Sequence, residues 1–103
     1  MTSTTLPIAL DEAKLAEFCY ARGIRKLSLF GSVLRDDYDP ARSDVDVLAG
    51  FLPAARPGVR AFGYGEKLAA VLGVRVDVNT PAMLSRHVRE RVLAEAVTIY
   101  EQP

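Results

Sequence analysis

Apolar and polar positions along the chain fall into blocks of different period, and each change of period marks a new element. From Leu10 to Gly23, Leu15, Phe18 and Cys19 recur at helical spacing among alanine-rich filler. Asp11 stands where an N-cap or a first-turn acid belongs, beside Glu12, and Gly23 supplies a stop. This spacing predicts a helix over about 10–22. Ile24 to Phe30 alternates only in part and predicts a first strand. Val33 to Asp37 reads as a helical turn, and Tyr38-Asp39-Pro40 as a loop, because the Pro40 ring pushes Asp39 out of helical geometry. Val45 to Phe51 predicts a second strand. Pro53, Pro57 and Gly58 then mark a mobile connection. A stripe of Phe62, Leu68, Ala69 and Leu72 predicts a helix over 59–72, weakened early by Gly63 and Gly65 and ended by Gly73. Val74 to Asn79 alternates cleanly, with three valines on one face and Arg75, Asp77 and Asn79 on the other, as a third strand requires. Pro81 suits the first turn of a helix, and Leu84, Val88 and Val92 recur every four residues to about Ala96. Val97 to Tyr100 is a short apolar tail, expected as a final edge strand.

These elements predict an α+β domain over 10–103, with a small sheet of three to four strands, preceded by a lead-in over 1–9. The chain has 103 residues, which suits one domain and is too short for two. Thirteen basic residues balance 13 acidic ones, so direct nucleic-acid binding and attraction to a membrane surface are not expected as the main task. A neutral surface favours association with another protein. Cys19 is the single cysteine, which excludes an internal disulfide and fits a reducing, cytoplasmic setting. Its place in a helical apolar pattern predicts core filler and not a nucleophile. No apolar run approaches a membrane span, and Met1 to Leu6 lacks the pattern of a signal peptide.

The candidate chemistry lies where the first predicted strand ends and the second begins. Gly31-Ser32 closes one apolar segment, and Asp44-Val45-Asp46-Val47 opens the next. Side chains two apart on a strand share a face, so Asp44 and Asp46 stand together while Val45 and Val47 face a core. Neighbouring carboxylates repel, and a shared proton or a bound cation relieves them. Mg²⁺ commonly takes one or two carboxylates plus substrate phosphates. Gly31 permits close backbone approach, Ser32 adds a hydroxyl, and the following turn can offer N–H groups to a phosphate. Asp77 puts a third carboxylate on a polar strand face, although taken alone it suits a solvated residue paired with Arg75. Three such acids are what two-metal phosphoryl or nucleotidyl transfer needs.

The segments Leu29-Phe30-Gly31-Ser32-Val33-Leu34-Arg35 and Ser43-Asp44-Val45-Asp46-Val47-Leu48 together resemble the signature of the polymerase-β-like nucleotidyltransferases, most closely their minimal form, the MNT proteins. The resemblance continues through Arg75-Val76-Asp77-Val78 and Arg91 to Ala96, and reaches Ile99-Tyr100. It departs from the family in two places. Eleven residues, 33 to 43, separate Ser32 from Asp44, one more than the family pattern, and Asp36 stands where many members have glycine. The resemblance implies a mixed sheet with helices packed on one side. It implies that Asp44, Asp46 and Asp77 are the catalytic and metal-holding acids, for two Mg²⁺ ions. Gly31, Ser32, Arg35 and Ser43 are the implied nucleotide-binding residues, with ATP as co-substrate. Arg42, in the same loop, is a further candidate for phosphate; His87 is assigned no role.

Minimal members resemble antitoxins paired with HEPN ribonuclease toxins, and some transfer AMP from ATP to a toxin tyrosine. The leading expectation is therefore a Mg²⁺-dependent protein adenylyltransferase acting as an antitoxin, in a hetero-complex with a HEPN toxin. The alternatives are a non-catalytic antitoxin that neutralises its toxin by contact, and a nucleotidyltransferase with an unrelated acceptor.

Overall fold

The computed structural model describes residues 8, 10–35, 38–39, 41–55 and 63–102. Helix α1 spans Glu12–Ala21, and the Asp11 side chain caps it, accepting a hydrogen bond from the Lys14 N–H at 3.1 Å. Gly23 ends the turn with φ +69°, and its N–H donates to the Tyr20 carbonyl. That backbone conformation is open to glycine and costly for other residues. Strand β1 follows as Ile24–Phe30 and β2 as Val45–Phe51, both with the predicted bounds. Between them the expected turn is a short 3₁₀ helix over Gly31–Leu34, and Asp36 and Asp37 lie outside the described residues.

Helix α2 is Tyr64–Leu72, closed by Gly73 at φ +74°. The first residues expected of it, 59–62, including Phe62, lie outside the described residues, as does the 56–58 part of the connection before it. Strand β3 is Val76–Asn79, shorter than predicted because the chain still bends at Val74 and Arg75 precedes the paired residues. The helix expected from Pro81 begins later. Pro81–Met83 forms a separate 3₁₀ turn, Leu84 is extended, and Ser85 caps α3 over Arg86–Glu95. The Arg89 guanidinium fixes this break, donating to the carbonyls of Pro81 at 2.8 Å and Leu84 at 3.2 Å. Strand β4, Val97–Glu101, is the expected edge strand.

The sheet is mixed, with order β3-β2-β1-β4; β1 pairs antiparallel with β2 and β4, and β2 pairs parallel with β3. An irregularity between Ile24 and Lys26 explains why β1 only half alternates. One extra residue there lets Ile24 and Leu27, three apart, both face inward. Leu27, Leu29, Val45, Val47 and Ala49 form the buried face, packed against Leu15, Phe18 and Cys19 of α1 and Leu68 and Leu72 of α2. The opposite face carries Ser28, Phe30, Asp46 and Leu48. A smaller cluster of Phe30, Leu48 and Val92, flanked by Leu84, Val88 and Ala96, seats α3 on part of it. The two main helices thus share one side, and α3 screens part of the other. The acids at the start of β2 lie beyond that cluster. Among the described residues no helix is long and apolar enough to cross a membrane.

Candidate active site

Three adjacent strands bring the site together. β1 ends at Phe30, opposite Asp46 of β2, and Asp46 lies opposite Asp77 of β3 in the parallel register. Gly31, Asp46 and Asp77 therefore form a row across the sheet. Gly31 has φ +78°, and a Cβ at this position would lie 2.5 Å from Asp46 Oδ2. Backbone conformation and neighbour both require glycine there. After it Val33 is buried and anchors the turn, while Ser32 is half-buried and accepts the Arg35 N–H at its carbonyl, 3.0 Å away.

The fold brings Asp44 and Asp77 close enough to Asp46 for their charges to reach it. Burial pushes the Asp46 carboxyl above its ordinary range, and the negative charges of Asp77 and Asp44 push it further. Val45 and Val47, on either side of Asp46, are fully buried, so the chain at this point is held from behind. Asp77 is exposed on its strand. Asp44 is half-exposed and pairs with Arg75, Nε to Oδ1 at 3.1 Å. Arg75 thus meets Asp44, not Asp77, because β3 begins one residue after it. Its carbonyl accepts the Val45 N–H at 2.8 Å, which sets Arg75 beside the start of β2.

Ser43 is half-buried and donates its N–H to the Asp39 carbonyl at 2.9 Å. Arg42 stays on the surface, 3.6 Å from Asp39 Oδ2, and Arg35 is exposed just past the 3₁₀ turn. Neither arginine is drawn to the acid row. Tyr38 is packed against the core, which its loop position did not announce. Its hydroxyl is buried without a hydrogen-bond partner among the described residues. Burial raises its pKa, opposed by the charge of Arg75 and reinforced by those of Asp39 and Asp44. The Tyr38-Asp39-Pro40 loop signal gave its position in the chain but not this neighbourhood.

Among the described residues no three acidic, histidine or cysteine side chains converge into a ready-made cation cage. A site that relies on substrate phosphates does not need one, since Mg²⁺ is usually held by one or two carboxylates, waters and phosphate oxygens. The donor chemistry of Asp44 and Asp46 fits that pattern. A separate groove of about 510 Å³ runs between α1 and α2, lined by Phe18, Arg22, Lys67 and Val71 among others, and no acid of the row contributes to it.

Comparison with known proteins bears on the family and the fold. The model of the nucleotidyltransferase domain family matches residues 12–99. The structure of a minimal nucleotidyltransferase is 30% identical, with TM-score 0.67, over 84% of this chain and 86% of that one. A toxin–antitoxin structure with AMP-PNP is 19% identical, with TM-score 0.67, over 90% of this chain and 75% of that one. The MNT antitoxin in complex with a tri-AMPylated HEPN toxin of Shewanella oneidensis is 18% identical, with TM-score 0.60, over 88% and 70%. No curated protein sequence matches the chain. The chain belongs to the nucleotidyltransferase domain family, and its relative at 30% identity places it among the minimal members.

Proposed function

We propose that this protein is a cytoplasmic antitoxin that transfers AMP from ATP to a tyrosine of a partner HEPN ribonuclease toxin, with Mg²⁺. The observation that carries the reading is the row of Gly31, Asp46 and Asp77 on three neighbouring strands, with Asp44 beside it. A surface that only binds has no use for two acids that raise the charge cost of a third, Asp46. Likeness to a toxin–antitoxin structure with AMP-PNP, and to an antitoxin bound to a tri-AMPylated toxin, supports the choice of ATP and of a protein acceptor.

In this reading Gly31 and Ser32 cradle the phosphates at the end of β1, where the missing side chain lets the Asp46 carboxylate stand against the turn. Ser43 and Arg35 border the same loop and complete the phosphate contacts. Asp44 and Asp46 would hold the Mg²⁺ ions, with Asp77 as the third acid. Bound Mg²⁺ supplies charge neutralisation for the triphosphate and the leaving pyrophosphate. Asp77, the exposed acid at the sheet edge, accepts the proton of the incoming hydroxyl. Arg75 holds Asp44 in place, and a cation at Asp44 would compete with that contact.

The test is to mix purified toxin, this protein, ATP and Mg²⁺, then remove this protein and assay the toxin. The toxin is expected to stay inactive and to gain the mass of one or more AMP groups. Full recovery of the toxin on separation would mean neutralisation by contact.

A further inference from the structure

Helices α1 and α2 lie on the sheet face away from Asp46, and the groove of about 510 Å³ runs between them. Its α1 wall is Lys14, Glu17, Phe18, Ala21 and Arg22, which recur three and four apart along one stripe. The α2 wall repeats that spacing with Lys67, Ala70 and Val71. Phe18 and Val71 make the floor apolar, and the short side chains of Ala21 and Ala70 leave it open. Charge on the rim is uneven. Three cations stand there against one acid, in a chain with equal numbers of each. None of the three forms an ion pair among the described residues. Arg22 is the most constrained of them. Its guanidinium lies over the Phe18 ring, 4.1 Å from the centroid, and donates to the Phe18 carbonyl at 3.1 Å. It is half-buried, and the segments 1–7 and 56–62 that flank the two helices contain no acidic residue.

We propose that this groove receives an amphipathic helix of a partner protein, one whose apolar face is bordered by carboxylates. Such a docking surface goes beyond AMP transfer and does not depend on it. Two stripes at helical spacing form a trough that a third helix fills with apolar anchors one and two turns apart. Phe18 and Val71 meet those anchors. A cation drawn out of water without an anion costs free energy. Arg22 therefore favours a carboxylate that arrives with the partner, and its stacked guanidinium loses little freedom on pairing. Lys14 and Lys67, exposed on opposite walls, steer the approach of an acidic surface. A nucleic-acid backbone would answer the rim charges but set polar atoms on the apolar floor. Because the groove and Asp46 lie on opposite faces of the sheet, a partner held here leaves the nucleotide site open.

Two labelled synthetic peptides test the groove by fluorescence polarisation on the whole chain. One is an amphipathic helix with leucines at the anchor positions and glutamates beside them; the other has the same residues in scrambled order. Only the first is expected to bind, and to shift the methyl resonances of Ala21, Ala70 and Val71. Lys67→Glu and Arg22→Gln are each expected to weaken it about tenfold. Raising salt from about 50 to about 500 mM is expected to weaken it about fivefold. Val71→Glu is expected to abolish binding, with ATP affinity in Mg²⁺ unchanged. Lys67 is exposed, so its variant keeps the fold if those of Arg22 and Val71 do not. Equal binding of the scrambled peptide, tighter binding of a helix with lysines in place of the glutamates, preference for an oligonucleotide, or unchanged affinity in Lys67→Glu would overturn the site. Sedimentation that shows self-association lost in Lys67→Glu, with no peptide bound, would overturn it in favour of a second copy of this chain. If the toxin is left unmodified while the acidic helix binds, the transferase reading falls and the docking site stands.

Discussion

Single residues set the electrostatics of the site, and Asp46 shows how. Its pKa is raised in the fold by burial, then by Asp77 and Asp44. Just above the ordinary carboxylate range the native protein holds a proton that the unfolded chain has released, so stability falls as pH rises through that window. Asp46→Asn removes the charge without changing shape. In chelator at about pH 7 it is expected to melt above the parent by a few tenths of a kcal/mol, and the gain should vanish near about pH 3. Thermal melts of both proteins at the two pH values decide it; an equal or lower melting point at neutral pH would remove the like-charge account. Gly31→Ala acts in the opposite direction. Left-handed backbone costs about 1–2 kcal/mol for a residue with a Cβ, and the new Cβ meets Asp46 Oδ2. Urea midpoints should show a smaller loss for Gly31→Ala when Asp46 is already alanine, because the clash is shared between the two positions. Cys19 is fully buried, and burial pushes its thiol up to about 12, so a thiol reagent should label it only in denaturant. Asp46, Gly31 and Cys19 could each be read from the sequence by type and spacing. The partner of Arg75 could not. Alternation placed Arg75 beside Asp77, but that pairing presumes a strand, and the strand starts one residue too late.

At the scale of elements, β1 and β2 were legible to the residue because their apolar runs end at glycine, at the acid pair and at a proline-rich stretch. The irregularity in β1 was not. Ile24, Leu27 and Leu29 break period two, and only pairing with Phe51, Ala49 and Val47 shows that an extra residue keeps all three inward. The start of α3 was missed for a different reason. Pro81 does open a helical turn, but the Arg89 side chain binds the carbonyls of Pro81 and Leu84 and so competes with continued helix. The spacing of Leu84, Val88 and Val92 survives because an extended Leu84 still reaches the same cluster. Caps are legible as residue types, and their strength follows geometry. Asp11 accepts the Lys14 N–H at 3.1 Å, whereas Ser85 accepts the Val88 N–H at 3.4 Å. Asp11→Ala is therefore expected to cost about 1 kcal/mol and Ser85→Ala about half of that, measured by chemical denaturation. The reverse ranking would place the weight of α3 on its cap and not on Val92.

The whole molecule is a four-stranded sheet with its acids at one place on the face that α3 leaves uncovered. The sequence read the class of this fold and the identity of its acids, since both rest on local period and on motif spacing. The order of the strands, which puts Asp77 next to Asp46 and leaves β3 at the edge, depends on long-range pairing that no local pattern states. That order has a consequence for binding. ATP brings a polyanion to a surface where carboxylates already repel one another, and Arg75, which opposes them, is engaged with Asp44. Without a cation the two sets of charges oppose association; with Mg²⁺ each set completes the coordination of the other. Calorimetric affinity for ATP is expected to rise by more than about tenfold, or about 1.4 kcal/mol, between chelator and Mg²⁺. The same increase should be lost in Asp44→Asn and Asp46→Asn. Arg75→Ala separates the contributions. The Arg75–Asp44 pair is largely exposed, so its loss should change stability by less than about 1 kcal/mol. It frees Asp44, however, so Mg²⁺ alone should bind this variant more tightly than the parent at low ionic strength. Equal ATP affinity in chelator and in Mg²⁺ would mean that the row of acids does not hold the cation. Weaker Mg²⁺ binding in Arg75→Ala would mean that Arg75 orients Asp44 for the cation and does not compete with it.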